Sequence, residues 1–106
     1  MYRVDFGDAK RGHEQRGRRY GICLSEAPDG WSTVMMVPTS TGAQTAIFRP
    51  KMTIAGRETV VLIDQMRAID RNWVFGDRVD HLTGTAMAEV EFALGRFLGL
   101  RINLDY

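Results

Sequence analysis

The chain has 106 residues, a formal net charge of +1 and an apolar fraction of 44%. This composition predicts one folded domain, residues 1–106, with a modest core, and the charge by itself does not demand a polyanionic partner. No apolar stretch approaches a membrane span, and a single cysteine excludes an internal disulfide. We therefore expect a cytoplasmic protein with no membrane partner, in which Cys23 is a small buried residue.

The first half of the chain places a basic, glycine-punctuated loop between two predicted strands. Residues 2–6 alternate apolar and polar side chains, and residues 20–24 are a short apolar run. Between them, residues 10–19 carry five bases and one acid, a local charge of +4. An arginine held where such a loop meets a sheet can bind a phosphate. A solvated surface loop is the alternative reading of the charge.

Hydroxyl side chains follow the third predicted strand, residues 32–37, which Pro38 is expected to end or to place at the edge of the sheet. Thr39, Ser40 and Thr41 stand in a row beside Gly42. Such a group can cradle a phosphate through hydroxyls and exposed N–H groups, or it can be a plain polar turn.

The middle of the chain predicts two further strands separated by a loop. Residues 45–49, TAIFR, predict a fourth strand that ends at Pro50. Residues 51–58 predict a loop because they contain Gly56. Residues 59–63 are almost continuously apolar, which predicts a central fifth strand.

Two candidate functional side chains follow that strand. If residues 64–70 are extended, Gln65 and Arg67 project from the same face as paired donors. A salt bridge from Arg67 to Asp64 or Asp70 is the structural alternative.

Two short apolar segments come next. Residues 72–76 predict a turn whose Trp73 and Phe75 belong to the core by default, with a subunit surface or a base-stacking platform as alternatives. Residues 78–82 predict a last short strand with a structural histidine, His81.

A helix is predicted at the end of the chain. Thr83 is a suitable N-terminal cap and Gly99 a suitable C-terminal cap. The apolar stripe of this helix consists of Met87, Val90, Leu94, Phe97 and Leu98, whereas Phe92 lies off it. Short strands followed by one helix predict an α+β domain with a small, strongly bent sheet or barrel.

Three blocks of the sequence resemble one family. Residues 12–19, GHEQRGRR, are similar to the G-S-E-Q-x-G-x-R-P segment of MazF/PemK toxins, the ribonuclease half of bacterial toxin–antitoxin pairs. Residues 37–40, VPTS, resemble that family's strand-end segment with its threonine, and residues 62–70, LIDQMRAID, its L-x-x-Q-I-R-x-I-D block. The chain departs from the pattern at Tyr20, where proline is usual, and at His13, where serine is common.

The resemblance implies a small SH3-like β-barrel of the CcdB/MazF type with a C-terminal α-helix, assembled as a homodimer. The implied activity is sequence-specific cleavage of single-stranded RNA without a metal or other cofactor. In that reaction the 2′-hydroxyl attacks the phosphate and leaves a 2′,3′-cyclic phosphate and a 5′-hydroxyl. The implied partner is a cognate antitoxin whose acidic and apolar C-terminal tail covers the RNA groove.

The family's catalytic residues fall on Arg19 and Thr39. Arginine stays protonated, so Arg19 is expected to stabilise negative charge, and Thr39 to bond a phosphate oxygen or orient the hydroxyl. His13 is a possible proton-transfer group because its unperturbed pKa lies near neutrality. The expected RNA-binding or supporting residues are Lys10, Arg11, Glu14, Gln15, Arg16, Arg18, Ser40, Thr41, Gln65 and Arg67.

Two alternatives stay open at this point. A CcdB-like toxin binds DNA gyrase and cleaves nothing, and a degenerate family member would bind an antitoxin without catalysis. The arginine-rich loop and the Gln-x-Arg block favour the ribonuclease.

Overall fold

The computed structural model describes residues 1–7, 18–25 and 30–100, and these residues form seven β-strands followed by one α-helix. The elements are β1 (Tyr2–Asp5), β2 (Arg18–Cys23), β3 (Thr33–Ser40), β4 (Lys51–Ile54), β5 (Arg57–Val61), β6 (Arg67–Asp70), β7 (Val74–Phe75) and α1 (Gly84–Leu98).

The eight-residue strand β3 is the centre of an antiparallel sheet with the order β4-β5-β3-β2-β1-β7. One edge of β3 pairs with β2, and its other edge pairs first with β6 and then, near Thr39, with β5. The predicted α+β class with a C-terminal helix is confirmed. Within the described strands the sheet does not close, because β4 and β7 stand at opposite ends of this order. "Barrel" is therefore a loose description of the fold.

Alternation along β3 divides the core into two clusters. Val34 and Met36 pack with Val4, Phe6 and Ile69. On the other face, Val37 joins the larger cluster, into which α1 contributes its buried side chains. That cluster consists of Met1, Ile22, Val37, Met52, Ile54, Val61, Ile63, Val90 and Ala93.

Pro38 does not end β3, contrary to the sequence prediction. The strand continues through it to Ser40, with Pro38 opposite Gly21. Proline lacks the N–H donor, but its carbonyl still accepts a hydrogen bond from the N–H of Leu62 at 3.0 Å. The strand therefore loses one donor and keeps its direction.

Both predicted helix caps are confirmed. The Thr83 hydroxyl accepts from the N–H of Ala86 at 3.1 Å, and Gly99 adopts the left-handed conformation with φ of 67°. The predicted stripe is right at Val90 but not at its C-terminal end, where Phe97 is 38% exposed. Its ring meets Phe48 edge-on, with centroids 5.1 Å apart.

The prediction of a loop over residues 51–58 is wrong, since β4 and β5 form a hairpin there. Ala55 and Gly56 connect the strands with positive φ angles of 52° and 77°. A two-residue hairpin turn requires this conformation at both positions, and glycine supplies it without strain. Gly56 is thus a turn residue between two strands.

Two predicted strands are absent from the described residues. Residues 45–49 form a turn with one isolated bridge between Ala46 and Arg49. Residues 78–82 lie outside the sheet, although Val79 donates to the carbonyl of Met1 at 2.8 Å. His81 in this segment is exposed. An exposed side chain does not fit the structural role predicted for His81.

Three other expectations about apolar residues have mixed outcomes. Trp73 is 52% exposed, so its default assignment to the core is wrong, whereas Phe75 is half-buried. Phe92 is 62% exposed, as its position off the helical stripe predicts. Cys23 is half-buried and its thiol lies 3.3 Å from the carbonyl oxygen of Ser25.

Gly95→Ala is expected to stabilise the fold. Gly95 lies inside α1, and a Cβ atom built on it meets nothing within 4 Å. Alanine in a helix interior is favoured over glycine by about 1 kcal/mol. Chemical denaturation should show this gain, whereas Gly99→Ala should lose stability because Gly99 has φ of 67°. If Gly95→Ala instead lowers the free energy of unfolding, a side chain at this position is not tolerated.

Candidate functional site

Thr39 is held on β3 beside β2 by its own hydroxyl. Only 6% of the residue is exposed, and its Oγ1 donates to the carbonyl oxygen of Tyr20 at 2.8 Å. A threonine hydroxyl has one proton and two lone pairs. With the proton used by Tyr20, Thr39 can offer a ligand only acceptor positions in this arrangement.

Arg19 lies on β2, directly before the residue that Thr39 binds. Arg19 and Thr39 are each one position from the same end of the antiparallel β2–β3 pair, since β2 begins at Arg18 and β3 ends at Ser40. Arg19 is exposed. The structure thus brings the two predicted catalytic residues to one end of two neighbouring strands.

The two side chains belong to opposite faces of the sheet. Arg19 stands opposite Val4 of β1, and Gly21 stands opposite Pro38 of β3. Because side chains alternate along a strand, Arg19 shares the face of Val4, whereas Thr39 shares the face of Val37. This relation follows from the strand register and was not part of the sequence prediction.

The other hydroxyls of the predicted phosphate cradle have different surroundings. Ser40 is half-buried, and its Oγ accepts from the N–H of Gly42 at 3.2 Å. This local bond is typical of a polar turn. Thr41 is exposed and lines a cavity together with Thr39.

Gln65 and Arg67 do not extend side by side from one strand. Gln65 ends a 3-10 turn, Ile63–Gln65, and Arg67 begins β6. The Arg67 guanidinium donates from Nη2 to the carbonyl of Phe6 at 3.0 Å and lies 4.9 Å from the centroid of the Phe6 ring. Arg67 thus contacts the chain just before the basic loop.

The acids proposed as partners of Arg67 make other bonds. Asp64 receives two hydrogen bonds from Arg49, at 2.9 Å from Nε and 2.7 Å from Nη2. Asp70 accepts from the N–H of Asn72 at 2.8 Å. The two hydrogen bonds from Arg49 to Asp64 hold the turn at residues 46–49 against the 3-10 turn Ile63–Gln65.

Removing the Arg49–Asp64 pair should lower stability in a pH-dependent way. The hydrogen bonds from Arg49 lower the pKa of Asp64 below its ordinary value of 3.8. A lowered pKa contributes stability above the unfolded-state pKa and loses it as pH falls through the folded-state value. Asp64→Asn should therefore cost up to about 1 kcal/mol at pH 7 and progressively less as pH falls below about 4.

Unfolding measured from pH 7 to pH 2 checks this dependence. Glu58→Gln is the matched control, because the Lys51–Glu58 pair at 3.0 Å has side chains that are 50% and 75% exposed. Such a pair contributes little. An equal effect of both variants at pH 7 would contradict the role given to the Asp64 pair.

A cavity of about 320 Å³ lies on the Thr39 face. The polar side chains of its wall belong to Tyr20, Thr39, Thr41, Arg57 and Thr59. In the sequence Tyr20 stands out only as a departure from the family pattern, and Arg57 carries no functional motif. One sequence signal could have placed Arg57 at the start of a strand. The Ala55-Gly56 pair before it is compatible with a hairpin turn.

The remaining predicted loop residues lie outside the described part of the chain. These are Lys10, Arg11, His13, Glu14, Gln15 and Arg16. The backbone of Arg18 opens β2 opposite Asp5. The described ranges contain no group of three metal-ligating side chains and no helix long and apolar enough to cross a membrane.

The arrangement of strands and helix is shared with solved toxin structures. MazF from Deinococcus radiodurans superposes with a TM-score of 0.74 at 27% identity, over 92% of this chain and 91% of that one. An endoribonuclease in complex with its cognate antitoxin, from a mycobacterial species, gives a TM-score of 0.74 at 20% identity, over 96% and 93%. The Mycobacterium tuberculosis toxin MazF-mt6 gives 0.72 at 13% identity, over 96% and 100%. The fold is therefore the MazF fold.

Sequence similarity narrows this class to a family. Residues 1–98 match the family described as PemK-like, MazF-like toxin of type II toxin–antitoxin system. A candidate toxin of Mycobacterium tuberculosis is 56% identical over 100 residues, which is 94% of each chain. The chain belongs to the PemK-like, MazF-like toxins of type II toxin–antitoxin systems, and the resemblance predicted from three sequence blocks is confirmed.

Proposed function

We propose that this toxin is an endoribonuclease that cuts single-stranded RNA at specific short sequences without a metal ion. The observation that carries the proposal is the match of residues 1–98 to the toxin family. Two mycobacterial proteins of the same fold are named as endoribonucleases, and one of them is bound to its cognate antitoxin. We also propose that the chain is a single domain that forms a homodimer in the cytoplasm. Its proposed partner is a cognate antitoxin with an acidic and apolar tail.

The reaction needs little chemical machinery from the protein. The 2′-oxygen of one nucleotide attacks the adjacent phosphorus and loses its proton. The bond from phosphorus to the 5′-oxygen breaks, and that oxygen gains a proton. The products are a 2′,3′-cyclic phosphate and a free 5′-hydroxyl. The protein must align the backbone, stabilise charge on the phosphate oxygens and manage two proton transfers.

Arg19 is the proposed source of charge stabilisation. Its guanidinium can donate two aligned hydrogen bonds to phosphate oxygens. The proposed role of Thr39 follows from its bond to Tyr20: Oγ1 accepts a hydrogen bond from the 2′-hydroxyl and orients it for attack, or it holds the β2 backbone next to Arg19 in place. His13 is the candidate proton-transfer group, and Arg67 and Gln65 are candidates for RNA contact.

The strand register restricts how RNA can reach both residues. Since Arg19 and Thr39 belong to opposite faces near the same end of the β2–β3 pair, one phosphate can meet both only at that end. We therefore propose that the scissile phosphate crosses the open end of these two strands. A long arginine side chain can turn around a strand end more easily than in the middle of a sheet.

The second candidate is a toxin that binds its target or its antitoxin without cutting RNA. The observation that favours it is the burial of Thr39, of which 6% is exposed. The Thr39 hydroxyl already donates its proton to the Tyr20 carbonyl, so it has no proton to offer a phosphate oxygen. Gyrase inhibition without RNA cleavage would support a CcdB-like activity. Tight binding of an acidic peptide without cleavage would support an antitoxin-binding module.

The test uses purified protein and a long single-stranded RNA in excess chelator. We expect cuts at a short recurring sequence whose 5′ ends are phosphorylated by a kinase without prior phosphatase treatment, because they carry hydroxyls. Cyclic phosphates should be found at the matching 3′ ends. Cleavage that stops with the chelator, or products with 5′-phosphates, would contradict the proposed chemistry.

A further inference from the structure

The cavity on the Thr39 face contains a cation and an aromatic ring that the reaction described above does not use. Its wall includes Tyr20, which is 39% exposed, and Arg57, which is exposed at the start of β5. Apolar side chains of Met1, Ile54 and Val79 line it as well. At about 320 Å³ the cavity lies at the small end of the range of roughly 300–1,000 Å³ that is usual for small-molecule sites.

We infer that this cavity binds one unpaired nucleotide of the RNA, beside the scissile phosphate. The base stacks on the Tyr20 ring, and the Arg57 guanidinium contacts the phosphate or the edge of the base. The inference rests on the proposed function, since it gives the RNA substrate a second point of attachment. Tyr20 and Arg57 would then be residues that determine which sequence is cut.

Two polar groups of the cavity, on Tyr20 and Arg57, are available for a ligand. Within the described residues the Tyr20 hydroxyl and the Arg57 guanidinium have no hydrogen-bond or ion-pair partner. A guanidinium without an acid beside it favours an anion, and an exposed aromatic ring favours an unpaired base. Both features together match the chemistry of a nucleotide.

Among the described residues, neither nearby acid forms an ion pair with Arg57. Glu58 follows it in sequence but pairs with Lys51 at 3.0 Å on the neighbouring strand. Asp80 approaches the rim, where its two oxygens accept from the N–H groups of Ala55 and His81, each at 2.8 Å. Asp80 thus stabilises the hairpin turn that precedes Arg57. The Arg57 side chain remains part of the cavity wall.

The hydrogen bond from Thr39 places the cavity next to the proposed cleavage point. Thr39 lines the cavity and bonds the carbonyl of Tyr20. The same residue whose ring lines the cavity therefore follows Arg19 directly on β2. A nucleotide in the cavity and a phosphate at Arg19 would be separated by little more than the β2 backbone.

Fluorescence anisotropy tests the inference without cleavage. The probe is a fluorescein-labelled pool of eight-nucleotide RNA of random sequence, methylated at every 2′-oxygen so that it has no nucleophile. Tyr20→Ala should weaken binding about tenfold, the loss expected for one stacked base, whereas Tyr20→Phe should keep it. Arg57→Gln should weaken binding and reduce the slope of log K against log salt by about 0.7, the change expected for one lost contact to a single strand.

Arg71→Gln is the matched control, because it removes the same charge at the other end of β3. Thr33 of β3 pairs with Asp70, and Arg71 donates to the carbonyl of Ser32 at 2.9 Å. This is six residues along β3 from Thr39, or about 20 Å at the rise of a strand. Binding by Arg71→Gln should equal that of the wild type, and all variants should show the wild-type circular dichroism spectrum.

The outcomes separate this inference from the proposed function. If both cavity variants bind the pool normally while the wild type cuts RNA, the nucleotide site is wrong and the nuclease stands. If the variants weaken binding but the wild type cuts no RNA, the site stands and the nuclease is wrong. A wild type that does not bind the pool overturns the site. Variants that weaken only the binding of a polyglutamate peptide overturn it too, and indicate a site for an acidic protein tail.

Discussion

Arg19→Ala is expected to lower the rate of RNA cleavage by about 10²–10³-fold, the usual cost of removing one donor to a developing oxyanion. The physical reason is that the negative charge on the phosphate oxygens grows in the transition state. In the proposed arrangement the Arg19 guanidinium, near the start of β2, already faces the phosphate before the reaction starts. The measurement is the initial rate of cleavage of one mapped site under saturating RNA.

Two further variants define what Arg19 supplies. Arg19→Lys keeps the charge but loses the paired donors, so it should recover only part of the lost rate. Arg71→Ala removes an arginine beyond the other end of β3 and should leave the rate unchanged. Because Arg19 is exposed, its replacement should leave the unfolding transition near that of the wild type. A folded Arg19→Ala protein with the full cleavage rate would overturn the assigned role.

The sequence predicted the strands that enter the core and missed the hairpin beside the site. β1, β2 and β5 follow apolar runs whose burial the structure confirms at Val4, Ile22 and Val61. Gly56 was interpreted as a loop residue, although positive φ at two successive residues makes it the turn of a hairpin. The sequence around one glycine cannot distinguish a loop from the turn of a hairpin. The two differ only in whether the flanking segments pair with each other as strands.

The turn at residues 45–49 shows a second limit of local pattern. Its three consecutive apolar residues, 46–48, favour a strand locally, but the bonds from Arg49 to Asp64 hold it against a segment fifteen residues later in the chain. Those tertiary bonds favour a turn closed between Ala46 and Arg49. Local propensity for a strand is weak enough for such contacts to override it.

Two residues of the candidate site were predictable from the sequence, but their arrangement was not. Family-like sequence blocks indicated Arg19 and Thr39, and the structure brings both to one end of the β2–β3 pair. Which faces they occupy depends on the register between β2 and β3, and a shift of one residue would exchange the faces. Register is set by contacts between strands, so neither block contained that information.

Thr39→Val is expected to reduce cleavage by at least tenfold while RNA binding stays close to that of the wild type. Valine has nearly the same shape and fits the buried position, where 6% of Thr39 is exposed. It removes the bond to the Tyr20 carbonyl, which should cost about 1 kcal/mol of stability. Thr39→Ser keeps a hydroxyl and should retain most of the activity. Rates and binding of uncleavable RNA, measured on the same preparations, separate catalysis from affinity.

The double variant Arg19→Ala/Thr39→Val decides whether Thr39 acts through Arg19 or directly on the RNA. If its hydroxyl chiefly holds the β2 backbone at Tyr20, the rate of the double variant should equal that of Arg19→Ala, since nothing is left to position. If Oγ1 itself accepts a hydrogen bond from the 2′-hydroxyl and orients it, the two losses should multiply. A Thr39→Val protein with the wild-type rate would exclude both roles and leave the bond to Tyr20 as a structural contact.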